Sequence, residues 1–409
     1  MFKKFFNLAK VGTPHFLILV LMVSIGPFGD TEYAPSLPRI AHELATRYDM
    51  VQFTMTSYLA GYSISQLFYG PLSDKFGRKP IMLIGAAFFV VGSLVCLTSF
   101  NIWQLIIGRF VQAIGSCAGS VLSNACVRDA FPEEEREHIF AKLNAVFALA
   151  PALGPIVGAL LDQYFGWHAN FLLLFILALL LFICVWIFLP ETNSHKQPNA
   201  MHPKQFFKNY FQLFKDPYFL GYAIVLGFCI GVVYCSLVGA PGLIIDILHK
   251  KPVWVIIIAG GVLAGFIIGS LTCNFLTKII RDKWLVFWGL SVMLIVSIVY
   301  ESLAWGGLVA VSLTATLVPI AVIFSGIAFV IPIATAEALQ PFEHITGSAA
   351  AMIGFFQMGI ASAATAGLGL FPNAKVFGMP HIFIILSFAA MLIYAMFVLV
   401  RPNHKRHIV

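Results

Sequence analysis

From Phe16 to Gly29 the chain reads FLILVLMVSIGPFG, with a single hydroxyl and no charge. Runs of this kind recur along the whole sequence. A helix that crosses the hydrocarbon core of a bilayer needs about 20 apolar residues, because no water is present there to satisfy exposed backbone groups. Divided at its polar and Pro/Gly-rich breaks, the 409-residue chain yields twelve such spans, near 14–37, 51–72, 80–99, 103–127, 139–162, 168–189, 218–245, 253–277, 284–302, 308–333, 345–370 and 379–400. Composition agrees: 60% of the residues are hydrophobic and 11% charged, outside the range of a water-soluble domain. No small-residue cleavage site closes the first run, so it is expected to be a retained span and not a signal peptide. The expected fold class is all-α integral membrane.

The charges are sorted by side. With the N-terminus inside, alternate loops place 19 Lys and Arg on the inner face and 5 on the outer, with Arg109 left inside a span. Cytoplasmic loops collect such cations, so both termini are expected inside. The net charge of +7 therefore has a membrane explanation, and no nucleic-acid partner is expected. Cys96, Cys117, Cys126, Cys184, Cys229, Cys235 and Cys273 fall within apolar runs without paired spacing, and the histidines do not cluster. Neither a disulfide, a metal site nor a cofactor is expected.

The longest polar connection, 190–217, separates six spans from six. The expected domains are an N-terminal six-helix bundle over 1–189, a cytoplasmic linker over 190–217 and a C-terminal six-helix bundle over 218–409. In the linker, Lys204, Lys208 and Lys215 alternate with Phe206, Phe207, Tyr210, Phe211 and Phe214, the pattern of a short helix lying at the inner interface. GPLSDKFGRKP at 70–80 lines up with NFLTKIIRDKW at 274–284, an offset of 204 residues. That echo points to a duplicated six-helix unit, an architecture in which transporters hold substrate between repeats.

Three stretches carry chemistry. In GPLSDKFGRKP, Gly70 and Gly77 permit a tight turn, Asp74 offers a carboxylate, and Arg78 and Lys79 offer cations at the inner face. In ALAPALGPIVGALL of span five, Pro151 and Pro155 bend the helix, while Gly154 and Gly158 form a face that admits a close neighbour. Such a helix is expected to be a moving seam between the halves, with plain close packing as the other reading. The third stretch surrounds Arg109, whose charge within a span costs about 2.5–3.5 kcal/mol and demands a partner. At about 1.5 Å per residue, Arg109 on span four and Asp30 and Glu32 on span one all lie about 8–10 Å below the outer face.

These three groups are therefore expected to meet across a polar cavity, as a proton-coupling site or as a structural ion pair. Asp30 is preferred as the titrating acid, because Glu32 lies nearer the outer face and can reach water. Two acids two residues apart share a face only on an irregular helix, for which Gly26, Pro27 and Gly29 supply a reason. Tyr33, Tyr58, Tyr62 and Gln66 are further candidates for a substrate cavity. So are Gln112, Asn144, Tyr234 and Gln357, each polar or amphipathic within a span. Glu301, Glu337 and Glu343, near span ends, are assigned to loops.

The ordered string G-x-L-x-D-x-x-G-R-[KR] in the 70–80 loop resembles the signature between spans two and three of the major facilitator superfamily. IIGRFVQAIGSCAGS, 106–120, is similar to that family's arginine motif R-x-x-Q-G-x-G, with Arg109 and Gln112 in place and Gly115 at a motif glycine. ALAPALGPIVGALL looks like the proline-glycine motif of its exporters, and NACVRDAF (124–131) and YAPSLP (33–38) resemble the Bcr/CflA branch of drug:proton antiporters. These motifs occupy about the first 160 residues. In that branch the carboxylate comes four residues before the proline of Y-x-P. Here that position is Thr31, flanked by Asp30 and Glu32.

The resemblance implies a major facilitator fold of twelve helices in the bacterial inner membrane. It also implies exchange of a small amphipathic compound for protons by alternating access, with Asp30, Glu32 and Arg109 in proton coupling and Asp74 latching the outward-facing state. The expected partners are a small-molecule substrate, protons and the lipid bilayer, and the expected state is a monomer. A dedicated metabolite or siderophore carrier, importers included, has the same fold and remains an alternative. From another class, an integral-membrane enzyme would need a reactive constellation in an interfacial loop, and 190–217 offers none.

Overall fold

The computed structural model describes residues 12–194, 203–371 and 374–399. The basic start, residues 195–202 of the linker and the basic C-terminal segment, on which part of the orientation argument rests, lie outside them. All regular structure among the described residues is helical. The first half holds α1 (Phe16–Thr31), α2 (Leu37–Glu43), α3 (Tyr48–Phe76), α4 (Arg78–Leu97), α5 (Ile102–Ala130), α6 (Glu133–Phe165) and α7 (His168–Phe188). After a short α8 (Pro203–Lys215) come α9 (Pro217–Gly242), α10 (Val255–Leu276), α11 (Asp282–Trp305), α12 (Thr314–Leu339), α13 (Thr346–Leu368) and α14 (Ala374–Tyr394).

Among the described residues eleven helices are long and apolar enough to cross a membrane, with α1 and α2 forming one of them. The twelfth expected span is α3, which has 29 residues but is too polar to qualify by composition. The reason is where its polar groups go. Gln52, Thr54, Ser63 and Ser65 are buried against neighbouring helices, so the helix need not be apolar all round.

The chain forms two compact units, Met1–Phe207 with Lys251–Ile256, and Lys208–Lys250 with Ile257–Val409. In the first unit α5 is central and packs on α1, α3, α4 and α6. In the second, α9 packs on α12, α13 and α14, and α11 on α12 and α14. Glycines set the closest approaches, and they repeat at the sequence offset. A Cβ on Gly61 of α3 would sit 2.8 Å from the Phe110 carbonyl oxygen of α5, and 204 residues further on Gly265 of α10 abuts the Ala321 carbonyl of α12. Gly85 of α4 abuts Ala118 of α5, and 204 residues further on Gly289 of α11 lies 2.7 Å by the same measure from the Gly326 carbonyl of α12.

Two local expectations are corrected. The 70–80 stretch is not a loop: α3 continues to Phe76 and α4 starts at Arg78. Gly77 alone makes the joint, at φ +107°, while Gly70 lies inside α3 with open space where a side chain would be. Glu301 and Glu337 lie within α11 and α12. Glu301 accepts from Trp305 Nε1 at 2.7 Å and faces His381 Nδ1 at 3.0 Å, and Glu337 accepts from the Tyr218 hydroxyl at 2.9 Å. The short linker helix is present as α8, with Phe207, Phe211 and Phe214 exposed.

Candidate functional site

Pro35 has no N–H to continue the helical ladder, so the chain leaves α1 at Thr31 and passes through a 3-10 turn, Ala34–Ser36, into α2. The irregularity thus falls at 32–36, while Gly26, Pro27 and Gly29, the expected source, remain helical. Thr31 Oγ1 donates back to the Pro27 carbonyl at 3.1 Å. Asp30 is 4% exposed and Glu32, the capping residue of α1, is 0%. The ground for preferring Asp30 therefore fails, because Glu32 does not reach water. Neither Glu32 carboxylate oxygen accepts a hydrogen bond among the described residues.

Arg109 of α5 is also fully buried. Its guanidinium lies between two aromatic rings, 4.2 Å from the centroid of Tyr33 and 4.1 Å from that of Tyr58. Nη1 donates to the Gly29 carbonyl of α1 at 3.0 Å and to Gln112 Oε1 at 2.6 Å. The surrounding groups are fixed in turn. Gln112 Nε2 donates to Ser93 Oγ at 2.8 Å, Tyr33 shares a 2.8 Å hydrogen bond with Thr54, and Tyr58 shares one of 2.7 Å with Ser116. The negative face of each ring compensates the cation in a place without water. Arg109 and span one do meet, through a backbone carbonyl and a ring.

Span five closes the other side. A Cβ on Gly158 would overlap the Glu32 carbonyl oxygen, and one on Gly154 would overlap Thr31 Oγ1. Both glycines, with Pro151 and Pro155, lie in the uninterrupted α6. Within the first unit these glycines press on α1, at Thr31 and Glu32. Around it, Asn170 Nδ2 donates to Ser36 Oγ at 2.9 Å, Arg39 donates to the Asp162 carbonyl at 2.7 Å, and Trp167 Nε1 to Glu43 at 2.7 Å.

At the Gly77 joint, Arg78 collects two carboxylates, Asp74 at 2.6 Å and Asp129 at 2.8 Å, and its backbone N–H donates to Glu191 at 2.9 Å. Asn193 donates to the carbonyls of Ser73 and Asp74 at 3.3 and 3.2 Å. One arginine thus ties the ends of α3, α4 and α5 to the segment after α7.

Residues 19–368 match the model of the Major Facilitator Superfamily. The chain belongs to that family. It is 29% identical over 351 residues to "Multidrug resistance protein D" of Escherichia coli (strain K12), covering 83% of this chain and 84% of that one. It is 32% identical over 235 residues to "Bicyclomycin resistance protein homolog" of Haemophilus influenzae, covering 55% of this chain and 59% of that one. Among solved structures, the D-xylose-proton symporter superposes with a TM-score of 0.77 at 15% identity, over 95% of this chain and 98% of the symporter. This major facilitator chain is a multi-pass membrane transporter, and the enzyme reading falls away.

The other candidate positions divide by unit. Tyr62 is buried on α3, the Gln66 Oε1 on the same helix is buried without a hydrogen-bond partner among the described residues, and Asn144 is exposed on α6. Tyr234 is buried on α9 and Gln357 half-buried on α13, both in the second unit. Lys79 is partly exposed beside the joint. Sequence reading assigned no role to Asp129, Glu191 or Asn193. The acid in NACVRDAF and the polar cluster directly after span six were the available signals.

Proposed function

We propose that the protein is a proton-coupled exporter of small amphipathic compounds, a monomer in the bacterial inner membrane with both termini cytoplasmic. The names of its relatives support export of drugs, and the observation that carries proton coupling is Glu32. It is fully buried, its two oxygens have no donor among the described residues, and the neighbouring Arg109 is held by rings, a carbonyl and Gln112. A proton, or the polar end of a bound compound, is what can satisfy such a carboxylate. Protonation from outside releases the compound, and loss of the proton inside resets the site, which opens to one side at a time as bundles 1–189 and 218–409 rock about the linker 190–217. Arg109 acts as a fixed cation, Asp30 as a second acid on the same helix, and Tyr33, Tyr58, Tyr62, Gln66, Gln112, Asn144, Tyr234 and Gln357 as cavity groups. Gly154 and Gly158 hand a shift at Glu32 to α6. Asp74, Arg78 and Lys79 at the Gly77 joint govern the conformational change.

The test is substrate-driven proton movement in proteoliposomes holding a pH-sensitive dye, with neutral, cationic and anionic compounds. At least one compound is expected to move protons in the wild type. Glu32→Gln is expected to abolish that movement while the compound still binds. Loss in Asp30→Asn alone would transfer the role to Asp30. Full coupling in both variants would make the acids structural and remove the physical support for exchange.

A further inference from the structure

The first unit carries a groove of about 480 Å³ on the outward faces of α3 and α4, floored by Tyr69 and Ile114. That volume lies within the range of about 300–1,000 Å³ typical of small-molecule sites. Its walls include Ile64, Phe68 and Phe76 from α3 and Ile84 and Phe88 from α4, all exposed. The polar groups of the lining are spent elsewhere: Tyr69 donates to the Ile114 carbonyl at 2.8 Å and Ser65 to the Gly61 carbonyl at 2.7 Å. A drug-sized molecule needs a few placed polar groups to orient it, and this wall has none to offer.

Length and charge narrow the occupant. From Ile64 to Phe76 the groove follows α3 for about 18 Å at 1.5 Å per residue. That is close to one leaflet of hydrocarbon, about 15 Å. At the Phe76 end stand Lys75, whose Nζ lies 5.1 Å from the Phe76 ring centroid, and Lys79. The nearby carboxylates of Asp74 and Asp129 both pair with Arg78. Among the described residues neither Lys75 nor Lys79 forms an ion pair, so two ammonium groups cap an apolar channel at the end the Lys and Arg count assigns to the cytoplasm.

We propose that this groove binds an anionic phospholipid of the inner leaflet, one acyl chain lying along Ile64–Phe76 and the phosphate resting on Lys75 and Lys79. Both helices that form it meet at Gly77, so the bound lipid sits astride the joint that Arg78 organises.

The test titrates the purified full-length protein in detergent with phosphatidylglycerol and with phosphatidylcholine of the same chains, counting bound lipid by native mass spectrometry. A basic side chain near a membrane surface is worth a factor of about five in binding, so phosphatidylglycerol is expected to bind about 30-fold more tightly. The double variant Lys75→Gln, Lys79→Gln is expected to lose that preference while still binding both lipids weakly. Ile84→Trp, which fills the groove and leaves the cations in place, is expected to weaken both lipids alike. Unaltered thermal unfolding of both variants verifies the fold. Equal affinity of the wild type for the two lipids overturns the proposal, as does a preference that survives the double variant, binding that ignores Ile84→Trp, or displacement of the lipid by a transported compound.

Discussion

Arg109 lies against two ring faces, and that makes a separable claim about Tyr58. Its ring and its hydroxyl have different tasks: the ring lies 4.1 Å from the guanidinium, and the hydroxyl bonds to Ser116. Tyr58→Phe keeps the ring and is expected to cost about 1 kcal/mol for the lost hydrogen bond. Tyr58→Leu removes the face as well and is expected to cost about 2 kcal/mol more. Thermal unfolding in detergent gives the order, and equal losses would mean that only the hydroxyl matters. Arg109→Lys is expected to fail too, since a compact ammonium cannot lie flat between two rings. The need for a partner was legible from the depth of Arg109 in its span. The partner was not, because Tyr33 and Tyr58 are distant in sequence and carry no charge. For the same reason Glu32 looked like a surface acid: its burial depends on Gly158, over a hundred residues away.

Glycines divide sharply by what surrounds them, and three substitutions to alanine separate the cases. Gly70, helical and facing open space, is expected to gain up to about 1 kcal/mol, as an exposed helical glycine does. Gly77, at φ +107°, is expected to lose at least about 1 kcal/mol, because an L side chain is strained there. Gly158, pressed on the Glu32 carbonyl, is expected to lose about 1–3 kcal/mol and to lose proton coupling with it, since α6 must move away from α1. Unfolding midpoints rank the three, and a neutral Gly158→Ala would dissolve the α1–α6 seam. Most helices could be read from their apolar runs. The ends of α3 and α4 could not, because GPLSDKFGRKP has the composition of a loop and is held helical by Arg78 and its carboxylates. The 204-residue echo was faint in basic residues and becomes firm only in packing, where Gly61 and Gly265, and Gly85 and Gly289, do the same work.

For the whole molecule, the sidedness argued from Lys and Arg has a direct check. All seven cysteines are free, six are buried and none is exposed, so background labelling should be low. A cysteine at Lys79 is expected to react with an impermeant maleimide only in inside-out vesicles, and one at Phe100, 81% exposed, only in intact cells. The opposite pattern would invert the topology. The twelve-span plan was legible because the bilayer imposes one rule on every segment. Which helices face each other was not, since lipid-facing and protein-facing surfaces are equally apolar. Finally, a hinge of one residue, Gly77, leaves α3 and α4 no spare chain between them. Such a connection behaves as the elbow of a crank: displacement of one arm is delivered to the other without being absorbed. An epitope or linker inserted at that elbow would give it slack, and would uncouple the arms while leaving each of them intact.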